Sequence, residues 1–309
     1  MAAAADTSKT RVAFIPEAAW GVTPASPTFQ NFRRTNGNMR TKKTVVQSEE
    51  IQLDRNVREV IQTGQDAEGS YDFEMSYGTL DDLLAGVLQG VWSTDVLTVG
   101  SAHKPFTFEE TVDLGGGSFS YSRFNGCEVD RLSLNIQSRQ PVKGTIALMG
   151  QKETLAISII SGATYTAANT KSIATAVNFA NLSLAGLSPL PRIKGINFQI
   201  ANGLRIRDGL GDLHSDEFGT GQSVITGQIE ALFKTNALYQ KVLDHGGGQL
   251  AFTLGNVTTE KYTFDFPAIR FLDGARVLGG RDGDVMVSIP WQAEGTAAVP
   301  SMSITRGVA

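Results

Sequence analysis

The residues able to do chemistry are few and scattered. Three histidines, His103, His214 and His245, lie far apart with no partner at metal-ligand spacing, and the single cysteine, Cys127, cannot build a Cys-rich zinc site. A lone thiol also precludes an internal disulfide framework, suits a reducing compartment and reads as a small buried hydrophobe. Asp208, Asp212, Asp216 and Glu217 cluster, yet the central Gly and terminal Glu of a calcium loop are missing, so the stretch reads as a solvated loop. Asp282 and Asp284, in GGRDGD, suit a tight turn. Gly219, Gly221 and Gly227, in GTGQSVITG, lack the following Lys-Ser/Thr pair and the strand-to-helix context of a phosphate cradle. No G-x-S-x-G elbow occurs, and the neighbours Glu49 and Glu50 point to opposite faces of a strand, so they form no acid-base dyad. The expectation is a protein that is not an enzyme and takes no cofactor or metal.

The chain has 309 residues with 41% hydrophobic content, enough to bury proper cores. Only 19% of residues are charged, Gly occurs 33 times, and short apolar runs end in Gly, Asn, Asp or Pro, a pattern of strands rather than helices. The formal net charge of −4 argues against a surface that grips phosphates by releasing counterions, though not against one past which nucleic acid moves. The opening MAAAADTSKTR has no charged segment followed by an apolar core of roughly 7 to 15 residues, and no later run reaches about 18 apolar residues. Neither a signal peptide nor membrane insertion is expected.

Taken in order, residues 1–40 read as an extended arm, broken by Pro16, Pro24 and Pro27 and pinned by Trp20, Phe29 and Phe32. Residues 42–51 alternate loosely as a strand, and 52–65 form a long mixed-charge loop. From Gly69 the pattern sharpens: Tyr71, Phe73, Met75 and Tyr77 on one face, Ser70, Asp72, Glu74 and Ser76 on the other. Thr79 as N-cap, Asp81 and Asp82 in the first turn, and the stripe Leu80, Leu83, Leu84, Val87 and Leu88 predict a short helix that ends at Gly90. Strands are predicted over 106–112 and 119–124 around Gly115 to Gly117, then a hairpin of 129–137 and 142–149, again wet on one face. Residues 151–190, rich in Ala, Ser and Thr, read as an inter-domain connection, with a possible strand over 155–160.

The second half repeats this plan. A strand over 193–200 carries Asn197 and Gln199 on its polar face, a charged loop spans 203–218, and Thr220, Gly221 and Gln222 echo Thr63, Gly64 and Gln65. Aligning Gly227 with Gly69 puts Ile229 on Tyr71, Glu230 on Asp72, Phe233 on Met75 and Leu238 on Leu80. Strands over 250–254, 262–271, 285–291 and 302–305 follow. The reading is an internal duplication: an arm over 1–40, a first domain over 41–150, a linker over 151–190 and a second domain over 191–309.

The best strands share one property, an apolar face opposite a small, polar or acidic one. The polar faces collect Ser70, Asp72, Glu74, Ser76, Ser133, Asn135, Gln137, Lys143, Thr145, Asn197, Gln199, Gln228 and Glu230, without aromatics for stacking bases or Arg clusters. Such a surface stays wet and does not hold on.

The opening AFIPEAAWGVTPASPTFQNFRRT, the segment SEEIQLDRNVREVIQTGQDAEGSYDFEMSYGTLDDLL and the later TGQSVITGQIEALFKTNALYQKVLDHG resemble tail tube proteins of long-tailed bacteriophages with non-contractile tails, nearest to those of flagellotropic, Chi-like phages. The resemblance implies a mainly β structural protein with two tandem tube-type β-sandwich domains, each with a short flanking helix, whose inner sheets join between subunits into a barrel. It implies homo-oligomeric rings, trimeric and pseudo-hexameric given the duplication or else hexameric, stacked into a tube in the virion tail and assembled in the host cytoplasm. A tape measure protein fills the lumen before infection, and double-stranded DNA passes afterwards without specific binding. The polar faces then line the lumen, and the charged loops, with Asp54, Arg55, Arg58, Glu59, Arg205, Arg207, Asp208, Asp216 and Glu217, make contacts between rings. The rival reading is a β-sandwich carbohydrate-binding or adhesion module, which would need exposed clustered aromatics.

Overall fold

The computed structural model describes residues 4–255 and 259–307. The first half supplies β1 (Thr10–Pro16), β2 (Thr28–Asn31), β3 (Arg34–Gln47), β4 (Val60–Glu74), α1 (Asp81–Val87), β5 (Val96–Thr98), β6 (Phe106–Gly115), β7 (Ser118–Gln137), β8 (Lys143–Gly150), β9 (Lys152–Ala156) and β10 (Thr164–Thr166). The second supplies α2 (Thr175–Asn178), β11 (Phe179–Leu184), β12 (Ile193–Ala201), β13 (Arg205–Arg207), β14 (Glu217–Gly219), β15 (Val224–Leu232), α3 (Ala237–Leu243), β16 (Gly247–Gly255), β17 (Lys261–Phe271), β18 (Ala275–Val277), β19 (Met286–Ala293) and β20 (Ser303–Arg306). The fold is mainly β, as the composition predicts.

One sheet runs through both halves in the order β3, β4, β8, β7, β12, β15, β19, β18, every neighbouring pair antiparallel. Two further sheets cover its apolar side: β10, β2, β1, β6, β7, β9 over the first half, and β11, β16, β17, β20, β5 over the second. The core fills the space between layers. Phe14, Phe32, Tyr71, Phe73, Phe106 and Phe108 pack edge-on or stacked in the first half, and Phe198, Phe252, Phe264, Phe266 and Trp291 do so in the second. Each fully buried side chain of this size contributes about 1.5–3 kcal/mol relative to exposure, so these clusters fix which face of every long strand turns inward.

The halves follow one wiring. Strand β4 lies between β3 and β8, and β15 between β12 and β19; a short helix follows each, and then the hairpins β6–β7 and β16–β17. Strands β1 and β11 flank β6 and β16, while β9 and β20 flank β7 and β17. Gly69 and Gly227 share a constraint: a Cβ on either would sit 2.4 Å from the carbonyl oxygen of Asn38 or Asn197 on the preceding strand, so only glycine permits that approach.

Several expectations change. The two runs predicted at 119–124 and 129–137 are parts of one strand: β7 pairs with β6 and β9 in the covering sheet, then with β8 and β12 in the continuous one. The N-terminal segment is extended and lies against its own chain: β1 sits between β2 and β6, Phe29 stacks on Tyr165, and Trp20 packs edge-on against Phe218 at 5.6 Å. Thr79 does not cap α1; its hydroxyl hydrogen-bonds with Ser76 and accepts the Asn169 N–H, and the cap position falls on Leu80. The stretch 151–190 holds β9, β10 and β11, short pieces that lack alternation because their side chains stay largely exposed.

Candidate functional site

The open side of the continuous sheet gathers the predicted polar residues. Directly paired residues of antiparallel strands share a face, and the pairing runs in rows. Asp72 meets Thr145, then Ser133, Gln199, Thr226 and Gln292. Glu74 meets Lys143, Asn135, Asn197, Gln228 and Pro290. Gln137 leads through Gly195 to Glu230 and Ser288, and Ser70 through Ala147 and Arg131 to Ala201. All the expected polar residues lie here except Ser76, which is a correction: β4 ends at Glu74, and Ser76 is buried against Thr79.

The face also holds residues that sequence reasoning missed. Strand β3 runs 14 residues, and its Asn38, Arg40 and Lys42 pair with Ser70, Glu68 and Asp66. The alternation was weak because Met39 is the one buried residue of that strand. Arg40 and Lys42 both reach Glu68 at 2.8 Å, and Lys42, then Arg40, hold its carboxyl below the usual range. Thr145 donates its hydroxyl to Asp72 at 2.6 Å, Gln228 hydrogen-bonds Ser288, and Glu74 is held by Arg33 at 3.2 Å and Ser172 at 3.0 Å. Arg40, Lys42, Arg131 and Lys143 thus stand against Asp66, Glu68, Asp72, Glu74 and Glu230, and the face is polar with nearly cancelling charge.

The charged loops gather at one end of this sheet. The β3–β4 hairpin continues past the sheet to a tip over residues 48–59, where Arg58 pairs with Asp54 at 2.6 Å and Arg55 and Glu59 are exposed. The β13–β14 hairpin folds against its base. His214 Nδ1–H donates to the Gln65 carbonyl at 2.6 Å, the Gln65 N–H to Leu213 at 2.7 Å, and Ser215 to Asp66 at 2.7 Å. Arg205, Arg207, Asp208, Asp216 and Glu217 lie on or beside this second hairpin, with Arg207 paired to Glu217.

The remaining reactive groups are structural. Cys127 is fully buried, and burial pushes its thiol up, away from nucleophilic use. His103 contacts Glu128 at 3.0 Å, whose carboxyl is raised by burial with His103 opposing. Among the described residues no cluster of His, Cys, Asp and Glu is placed to hold a metal ion, and no helix is long and apolar enough to cross a membrane.

No curated protein matches this chain. A family model described as phage tail tube protein matches residues 7–293, nearly its whole length. The chain therefore belongs to the phage tail tube protein family and is a structural component of the virion tail that self-assembles into a tube.

Proposed function

We propose that this chain polymerises as stacked rings into the tube of a long non-contractile tail, with the polar face of the continuous sheet lining the lumen. The observation that carries this is the β7–β12 seam. There the wet face of one half passes to the other without a break, Gly195 against Gln137 through Ala201 against Arg131. The shared wiring, and the matched crowding at Gly69 and Gly227, support two duplicated tube domains, the seam being an inter-domain junction of the kind that closes the ring.

Eight strands per chain cross this face. At about 4.8 Å between strands, three chains give a backbone diameter of roughly 37 Å before strand tilt, and six would double it. The duplication favours the trimeric, pseudo-hexameric ring over a hexamer. Before ejection the tape measure protein occupies this bore; double-stranded DNA crosses it afterwards. With charges that nearly cancel, the wall neither condenses onto phosphates nor raises a barrier, and any residual field fades within about 8 Å at physiological salt.

Cryo-electron microscopy of the purified protein tests the reading. Rings of three chains stacked into tubes are expected; uniform monomers with affinity for glycans would replace it with the adhesion-module reading. For the lining, Asp72→Lys with Glu230→Lys should leave tubes intact while impairing DNA ejection, and unaltered infectivity would refute it.

A further inference from the structure

Strands β4 and β15 run in the same direction in the continuous sheet, since three antiparallel steps through β8, β7 and β12 separate β4 from β12, and one more reaches β15. The tip over residues 48–59 precedes β4, so it stands at the end where both strands begin. Beyond the contact of Gln65 with Leu213 the hairpin continues to the pair Gln47 and Val60, roughly 16 Å at about 3.3 Å per residue. Among its charged residues it presents three large apolar side chains to solvent: Ile51 is 96% exposed, Val57 61%, and Leu53 wholly so.

At the other end, where β15 finishes, an apolar groove opens between residues 187–191 and the start of α3, lined by Leu187, Pro189, Leu190, Phe233, Ala237 and Leu238. Its 80 Å³ falls well short of the roughly 300–1,000 Å³ of small-molecule sites and suits one or two aliphatic side chains. The exposed cations Arg192, Lys194 and Lys234 flank it, while Glu49, Glu50 and Glu59 flank the apolar tip. With Asp54 the tip carries four acidic residues against the two basic ones, Arg55 and Arg58, so polarity and net charge are complementary between opposite ends of one molecule, the condition for a head-to-tail contact that propagates.

We infer that the groove at the β15–α3 end is the receptor for the hairpin tip of a second copy of this chain in the adjoining ring, with Ile51, Leu53 or Val57 inserted beside Leu190 and Phe233. The inference rests on the tube reading. It assigns axial adhesion to apolar side chains and leaves Asp54, Arg55, Arg58 and Glu59 to orient the tip. The β13–β14 hairpin, held down by His214 and Ser215, does not project in this way.

Leu53→Asp and Leu190→Asp both replace exposed residues, so folding should be retained, with circular dichroism as the check. Each is expected to lower the population of stacked rings at least tenfold in sedimentation and negative-stain microscopy, since a charge replaces a leucine that the contact buries, while single rings persist. In a Cys127→Ala background, Leu53→Cys mixed with Leu190→Cys should form disulfide-linked dimers that neither variant forms alone. Tubes of ordinary length from both aspartate variants, or cross-links within a single variant, overturn the docking while leaving the tube reading standing. Failure of the unaltered chain to form rings or tubes overturns that reading, and the docking with it.

Discussion

Alanine at Gly69 or Gly227 measures how closely the strands of the continuous sheet approach. A Cβ at Gly69 lands 2.4 Å from the Asn38 oxygen and 2.5 Å from the Met39 Cα; at Gly227 it lands 2.4 Å from the Asn197 oxygen and 2.5 Å from the Trp291 ring. The first obstacle is backbone in both, which yields only if the strands separate. Overpacking of this kind costs about 1–3 kcal/mol. Gly64 is the control: its added Cβ meets Thr44 at 3.6 Å, ordinary contact, and removing a glycine there should be neutral or stabilise by about 0.4–1 kcal/mol through the unfolded chain. Gly227→Ala should exceed Gly69→Ala, because it also moves Trp291, which is completely buried. At roughly 2–4 °C per kcal/mol for a large domain, the two variants should melt some 2–12 °C below the parent, with Gly64→Ala level or above. Calorimetry of the unassembled chain decides it. If Gly69→Ala and Gly227→Ala melt no lower than Gly64→Ala, the matched close approach is not a constraint and the argument built on it for duplication fails.

Three other perturbations have defined outcomes. By the pattern of the β7–β12 seam, β18 of one copy should pair with β3 of the next, placing Val277 opposite Asn38; Val277→Cys with Asn38→Cys, in Cys127→Ala, should cross-link rings into closed covalent oligomers, and cross-linking confined to monomers would refute that register. Asn202 is buried and donates to the Val87 and Val129 carbonyls at 2.8 and 3.0 Å, so Asn202→Ala should cost about 1–3 kcal/mol by stranding both acceptors, read by urea unfolding; an unchanged midpoint would contradict it. Burial raises the Glu128 carboxyl above its ordinary value of 4.5, so the folded state binds more protons than the unfolded one. This contribution therefore favours folding at low pH and is lost as pH rises from about 4.5 through the folded value; Glu128→Gln should flatten that part of the stability profile, and an identical slope in parent and variant would refute the assignment.

Much of the working surface was legible because its signal is local. Alternation from Ser70 to Glu74 and from Arg131 to Gln137 places polar and apolar side chains on fixed faces, whatever those strands pair with. The contribution of β3 was hidden because only Met39 is buried in 14 residues, so no alternating apolar pattern exists to read. Strand β7 was divided in two because its inward-facing set changes where it leaves one sheet for the other, near Gly126 and Cys127. The order of strands, and hence the opposition of the tip at Leu53 to the groove at Leu190, depends on pairings between residues far apart in the chain, such as Ala67 with Gly150 and Gln137 with Gly195, which no short window of sequence contains.

The seam between β7 and β12 has a kinetic consequence for assembly. Both strands belong to one polypeptide, so this junction forms at the effective concentration set by a tether, of millimolar order for a short flexible one, and cannot be lost to dilution or exchanged with a wrong partner. In the proposed ring, half of the seams arrive already closed. The number of encounters needed to complete a circle is halved, and open arcs, with sticky strand edges exposed at each end, become fewer and shorter-lived.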